Sequence, residues 1–281
     1  MTTLSPAAPA TADAAAVRPY VSPVTASGVS FPRVLRSEWT KLRSLRSTWV
    51  TLGIAIALMV GLAALVSSVV VGEASGAEGP FDAMSVALAG SAFASVALGA
   101  LGVMTMTSEY SSGSIRSTVL SVPKRTPVLV AKAVLLAAVS YVSMLVAVVA
   151  SYAVSMSILA SKGLDVSLGD DGVWRVLLGS PAYLALVALL GLGIGALLRS
   201  TPGGITTVLG LVLVVPPLAS LLPGRIGETL SHWLPSAAGQ QVTLLTPDPS
   251  GLGPWTGLGV MAAYAVGLLV VAAVLLRRRD A

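Results

Sequence analysis

The stretch Ser108 to Pro127, SEYSSGSIRSTVLSVPKRTP, decides how this chain folds. It is a short polar, partly basic segment set between two long runs of uncharged, mostly apolar residues. A segment of that kind leaves a membrane, folds briefly and returns. Ser111 to Ser114 supply a helix start, Ile115 to Val122 supply two turns, and Pro123 stops them. Ile115, Val119 and Val122 then share one face. Two turns are too short to be stable alone, so the stub needs something to pack against. Its bases also obey the charge rule for inner loops, so physics alone leaves a plain connecting turn open.

Composition supports the membrane reading. The 281 residues are 55% hydrophobic and 10% charged, with a mean hydropathy of +0.88. About a quarter charged is usual for a water-facing surface, so this chain needs lipid as solvent. Helices of about 20 apolar residues cross the ~30 Å hydrocarbon layer with their backbone hydrogen bonds satisfied internally. Such runs are Trp49 to Val71, Met84 to Thr107, Ala133 to Ala160, Val176 to Leu198, Gly204 to Leu222 and Thr256 to Leu276. The third is long for one straight span, which implies tilt or an extension beyond the membrane. The fold class expected is all-α and polytopic, with six transmembrane helices.

Charge placement sets the expected orientation. With both termini in the cytosol, every Lys and Arg lies inside except Lys162, Arg175 and Arg225, while the outer loops carry Glu73, Glu78, Asp82, Asp165, Asp170, Asp171, Glu228 and Asp248. That is a strong positive-inside bias, and it is consistent with an even number of spans. The net charge of +5 therefore reports topology. The basic residues have no aromatic stacking platform beside them, which argues against nucleic acid.

Residues 1–30, rich in Ala, Thr, Ser, Pro and Val, lack a basic n-region and a continuous apolar core. They read as a flexible cytosolic tail, not a cleaved signal, before a six-span transmembrane domain from 31 to 281. From Phe31 the pattern changes. Leu35, Trp39, Leu42 and Trp49 fall on one helical face with Val34 and Leu45 flanking, and Arg33, Arg36 and Arg43 gather opposite. This is the pattern of an amphipathic helix on the inner membrane surface. Its two readings are a stop signal fixing topology and a helix that moves with a working cycle. Arg46 falls on the apolar side, where its stem can snorkel to phosphates.

Chemistry-bearing residues are sparse. There is no cysteine, hence no disulfide, thiol nucleophile or thiolate metal site. The lone His232, beside Trp233, reads as part of an interfacial anchor ahead of a ligand or pH-sensitive group. None of Lys41, Lys124, Lys132 and Lys162 follows a glycine, so no phosphate-cradling G-x-x-x-x-G-K-[ST] exists. The six runs contain no Asp, Glu, Lys, Arg or His, which weighs against an intramembrane enzyme and against proton coupling. An ion-coupled transporter or channel using backbone carbonyls stays open, because Pro216 and Pro217 interrupt the fifth run. A non-transporting membrane subunit also stays open. Gly191 and Gly195 form a G-x-x-x-G with Gly193 between, read first as packing within the chain and second as a dimer seam. Ser140, Tyr141, Ser143, Ser151, Tyr152 and Ser155 give the third run its polar content, as a path lining or as helix-to-helix bonds.

The loop motif resembles that of the ABC-2 type ABC transporter permeases. In that family a cytosolic coupling helix joins spans two and three, in a pattern matched here by Glu109, Tyr110, Gly113, Ser114, Ile115, Arg116, Leu120, Pro123, Lys124 and Arg125. Ser111 stands where the family often has a base. The amphipathic helix, the six spans and a long last outer loop with Leu234, Pro235 and Ser236 extend the likeness over nearly all of the chain after residue 30. The resemblance implies one transmembrane half of an ATP-driven exporter in the plasma membrane, paired with a second copy or a similar subunit. It implies a separate pair of ATP-binding subunits holding ATP and Mg, with no cofactor on this chain. Glu109, Gly113, Ile115, Arg116, Val119, Leu120, Pro123 and Arg125 are then the ATPase-coupling residues. Ile115 and Val119 would fill a groove, Arg116 would meet an acidic rim, and Glu109 would pair with Arg116 or with a base of the surface helix.

Overall fold

The computed structural model describes residues 30–73, 82–111, 126–223, 227, 229 and 232–278. Helix α1 spans Phe31–Ser44, with Pro32 in its first turn, where a missing N–H costs nothing. Leu45 is extended, and α2 runs from Arg46 to Glu73. The Trp49 indole N–H donates to the Arg43 carbonyl at 3.1 Å, meeting one of the acceptors that α1 leaves open at its end.

The second apolar run divides. Asp82 caps a short α3, Ala83–Ala87, by accepting from the backbone N–H groups of Met84 and Ser85. After a turn, α4 runs Ser91–Ser111. Gly90 in that turn lies against the α2 backbone at Met59 with no room for a Cβ, so the break is where the two segments touch. Helix α5, Thr126–Leu159, begins seven residues before its apolar run, and the extension carries Lys132 into the helix.

Helix α6, Val173–Leu198, ends at Arg199 in the left-handed region, whose N–H bonds back to the Gly195 carbonyl. Ser200 caps α7, Thr201–Leu209. A π-helical turn, Gly210–Val214, and α8, Val215–Ser220, complete the fifth span. The turn has a local cause. Pro216 and Pro217 bring rings against the preceding turn and no N–H to it, and widening relieves the clash. The Leu211 carbonyl, which Pro216 cannot serve, accepts instead from the Ser236 hydroxyl at 3.4 Å. Ser236 belongs to α9, Pro235–Gln240, and α10 closes the chain over Pro254–Arg278.

Among the described residues, six helical stretches are long and apolar enough to cross a membrane: Arg46–Glu73, Ser91–Tyr110, Thr126–Lys162, Val173–Leu198, Thr201–Ser220 and Pro254–Arg278. The all-α, six-span reading holds. α6 is the hub, with 72% of its apolar window buried against 17% for α10. It packs on α4 above all, then on α5 and α10, and α2 lies along α5 and α4. The α4–α6 seam is made of glycine. Gly191 faces the Gly99 carbonyl, Gly102 faces the Ala188 carbonyl, and Gly195 faces Val103, each leaving no space for a side chain. Between helices solvated by lipid there is no hydrophobic drive, so close backbone contact is what dispersion needs to hold them. Gly191 and Gly195 thus sit inside the chain. Val50, Ile54, Leu65, Val142, Val146, Val266 and Val270 face outward from the bundle, a surface for which lipid is the favourable solvent.

Candidate functional site

At the end of the bundle that carries α1, four charged side chains meet. On α1, Val34, Glu38 and Leu42 are buried at four-residue spacing, so one stripe of the helix rests on the bundle with a carboxylate at its middle. Val34 packs with Val128 and Ala131 of α5, and Leu35 covers the edge of that contact. This docking brings Glu38 to Lys132 of α5, Nζ to Oε2, at 2.6 Å. Lys132 also reaches Glu109 Oε1, in the last turns of α4, at 2.8 Å. Lys41, one turn along α1, closes the ring, at 2.9 Å from Glu38 Oε1 and 3.0 Å from Glu109 Oε1.

Two acids and two bases cancel, which is why the cluster can be buried at all. The side chains of Lys132, Glu38 and Glu109 are 6%, 5% and 9% exposed. Lys41 is the half-open member at 42%. Its burial alone would lower the ammonium pKa, but hydrogen bonds to Glu38 and Glu109, with the attraction of both carboxylates, hold it above the ordinary 10.5. It remains a cation at any physiological pH. Glu109 Oε2 is buried and accepts no hydrogen bond from the described residues. Beside the ring lies a cleft of about 390 Å³, lined by Lys41, Leu45, Thr48, Thr105, Ser108 and Leu135 among others.

The last turns of α4 are held from a second side. Thr201, in the first turn of α7, donates through Oγ1 to Thr107 Oγ1 at 2.8 Å, and Thr107 donates in turn to the Val103 carbonyl at 3.0 Å. The Arg199 guanidinium lies over the Tyr110 ring, 5.1 Å from its centroid. Farther along this end, Arg277 of α10 donates to Thr126 Oγ1 at 3.0 Å, tying the last helix to the start of α5.

Of the residues singled out from sequence, Glu109 stands at the centre of the ring, joined to an α1 base, Lys41, and also to Lys132. Gly113, Ile115, Arg116, Val119, Leu120, Pro123 and Arg125 lie outside the described residues, as does the coupling helix they were read to form. On α1, Arg33, Arg36 and Arg43 are exposed and Leu42 is buried, but Trp39 is turned away from the bundle and Leu35 is half-buried. The contact face is therefore rotated toward Val34 and Glu38. The expected apolar stripe is wider than the strip that α5 covers, and the ion pair with Lys132 selects which part of it docks.

Glu38, Lys132 and Arg199 carried no sequence assignment. A signal for Glu38 existed, because an acid four residues from both Val34 and Leu42 sits inside an apolar stripe and so requires a buried base. The reading that no ionisable residue lies in the spans is corrected: Glu109, Lys132 and Arg175 fall in the helices, each toward an end. Terminal turns extend past the apolar runs, and these three charges are paired or bonded there. Arg175 donates from Nη2 to the carbonyls of Leu244 and Leu245.

At the opposite end, His232 is half-buried and Trp233 exposed. Among the described residues no group of three or more His, Cys, Asp or Glu is placed to hold a metal ion. Ser67 donates to Ser155 Oγ at 2.9 Å, joining α2 to α5. Tyr152 donates to the Val166 carbonyl at 2.6 Å. These two polar groups of the third span serve helix-to-helix and helix-to-loop bonds.

Fold and site together define a multi-pass helical membrane protein with a buried ion cluster where α1, the end of α4 and the start of α5 meet. A family model described as ABC-2 family transporter protein matches residues 34–217, from the first turn of α1 through the proline pair of the fifth span. The chain belongs to that family, and it is a membrane component of a transporter. No curated protein matches its sequence.

Proposed function

We propose that this chain is the permease half of an ATP-driven exporter, working with a separate pair of ATP-binding subunits and with a second permease copy or a paralogue. One observation carries the reading of how it works. Residues 112–125 connect α4, which ends just after Glu109, to α5, which begins just before Lys132, and these two residues are bonded to each other and to α1. A displacement of that loop therefore cannot reach α4 without reaching α5 and the surface helix. In this reading the ATP-binding pair docks on the loop, with Ile115 and Val119 in an apolar groove and Arg116 against an acidic rim. Nucleotide, with Mg, is bound and hydrolysed there. Closure of the pair pushes the loop, and the ion ring distributes that push among three helices, whose tilt opens a path outward. The setting is the plasma membrane with both termini in the cytosol, as the basic residues favour.

No observation favours an ion-coupled mechanism over this one. The ionisable residues in the described spans lie toward helix ends, and Glu109, Lys132, Arg175 and Arg277 among them have partners within the chain, whereas a proton or ion relay needs them near mid-membrane. The test of the docking role is charge reversal at Arg116 together with Ile115→Asp, in the full chain carrying an affinity tag. Loss of a copurifying ATP-binding subunit from membranes where the unaltered chain retains it supports the reading. Retention of the subunit and of its ATP hydrolysis by both variants overturns the docking role.

A further inference from the structure

Arg199 is the one non-glycine residue with positive φ among the described residues, at φ 53. A left-handed residue after a helix is usually glycine or asparagine, since other side chains strain the backbone there. The arginine at that position carries the strain while its side chain reaches an aromatic ring. Its guanidinium lies 5.1 Å from the centroid of the Tyr110 ring, within the distance at which a cation is attracted to an aromatic face. Its Nε is buried and makes no hydrogen bond among the described residues, so the ring face is a principal attraction for this side of the group. The left-handed turn also starts α7, whose first residue, Thr201, bonds Thr107 one turn before Tyr110. Both contacts from the α6–α7 hairpin thus land on the last turns of α4, immediately ahead of residues 112–125.

We propose that Arg199 is a positioning residue that carries movement of the α4 end into the α6–α7 hairpin, and so into the fourth and fifth spans, by stacking on Tyr110. The ion ring reaches α1 and α5, whereas Arg199 reaches the helices on the other side of α4. The inference rests on the proposed role of the 112–125 loop as the place where force enters. It differs from a capping role in a way that can be measured. Glycine at 199 suits the backbone better than arginine does, so a pure cap predicts that Arg199→Gly leaves α7 as protected as before or more so.

The experiment has two arms. In the first, hydrogen exchange is followed in the purified full chain alone, in lipid nanodiscs. Arg199→Gly and Tyr110→Leu are each expected to speed exchange in the first turns of α7 about fivefold, as loss of one cation–aromatic contact would do. The double variant should be no faster than either single one, and Tyr110→Phe, which keeps the ring, should stay closer to the unaltered chain than Tyr110→Leu does. Unchanged or slower exchange in Arg199→Gly, or additive effects in the double variant, overturns the assignment. In the second arm, the chain is taken with its copurified ATP-binding subunit, and exchange in the same turns is compared with and without ATP and Mg. An ATP-dependent change in the unaltered complex that is lost in Arg199→Gly, with the subunit still bound, is the expected result. An ATP-dependent change that persists in Arg199→Gly overturns the proposal. Failure of any ATP-binding subunit to copurify with the unaltered chain refutes the permease reading instead, and the first arm then decides whether Arg199 and Tyr110 act as one unit.

Discussion

Replacing Lys132 with methionine is the sharpest perturbation of the ion ring. The ammonium is 2.6 Å from Glu38 and 2.8 Å from Glu109, and the side chains of all three are less than a tenth exposed. Methionine fills similar space, so the packing of α1 on α5 is nearly kept while the charge is lost. Two buried carboxylates would then share Lys41, which is 42% exposed and so interacts partly through water. Removing one partner of a buried ion pair costs about 3–5 kcal/mol, because the other charge is stranded. Pairs with a solvated member are worth about 0–1 kcal/mol, and Lys41→Met is therefore expected to be mild. The carboxylates need not stay bound once unpaired: α1 can lift off and hydrate Glu38. The predicted signature is local opening, with exchange across residues 31–44 accelerated at least a hundredfold (~3 kcal/mol) in Lys132→Met. In Lys41→Met the rise should be about fivefold or less. Adding Glu38→Gln to Lys132→Met should restore much of the protection, since it removes one of the stranded charges. Hydrogen exchange by mass spectrometry on the chain in nanodiscs reads all three. Equal, small effects for Lys132→Met and Lys41→Met would refute the reasoning, since burial would then not control the strength of these contacts.

The remaining predictions concern packing, the π-helical turn of the fifth span and pH. Gly191→Val should prevent α4 and α6 from meeting at the Gly99 carbonyl and should abolish a monodisperse purified chain, whereas Gly267→Ala, with open space around it, should be neutral or stabilising by up to about 1 kcal/mol. Size-exclusion profiles and thermal aggregation in detergent distinguish these outcomes. Ser236→Ala should cost about 0.5–1.5 kcal/mol by leaving the Leu211 carbonyl without its donor, seen as faster exchange around residues 210–216. Docking of α1 should be insensitive to pH from 6 to 9. Lys41 has its pKa raised above 10.5 by Glu38 and Glu109 despite burial, so its stabilising charge is fully present below that value and is lost as pH climbs through the folded-state pKa. A fall in α1 protection between pH 6 and 9 would mean that another group controls the ring.

How much of this was legible beforehand depends on the residue. The apolar runs located the spans because lipid solvation demands length and lack of charge, and those demands are written directly in composition. Helix ends were less legible. Backbone hydrogen bonding continues past the apolar run, so Thr126 to Lys132 joined α5 although the hydropathy pattern began at Ala133. The split at Gly90 was hidden for a different reason: it depends on the approach of α2, a contact between segments far apart in sequence. Glu109 was legible through its motif and through the cost of an unpaired carboxylate near lipid. Glu38 was passed over because α1 was read by its aromatic face, while the docked face is selected by Lys132, 94 residues later. The proline pair announced a deformation of the fifth span, and the π turn with its Ser236 donor shows what form it took.

The central claim is that this membrane component works with a separate ATP-binding subunit. The most direct measurement is to tag the C-terminus, extract the chain from its native membrane in mild detergent, and assay what copurifies for bound nucleotide and ATP hydrolysis. A stoichiometric soluble partner carrying a phosphate-cradling lysine motif and hydrolysing ATP is the predicted result. A chain that purifies alone under every extraction condition, with no associated ATP hydrolysis, would contradict it.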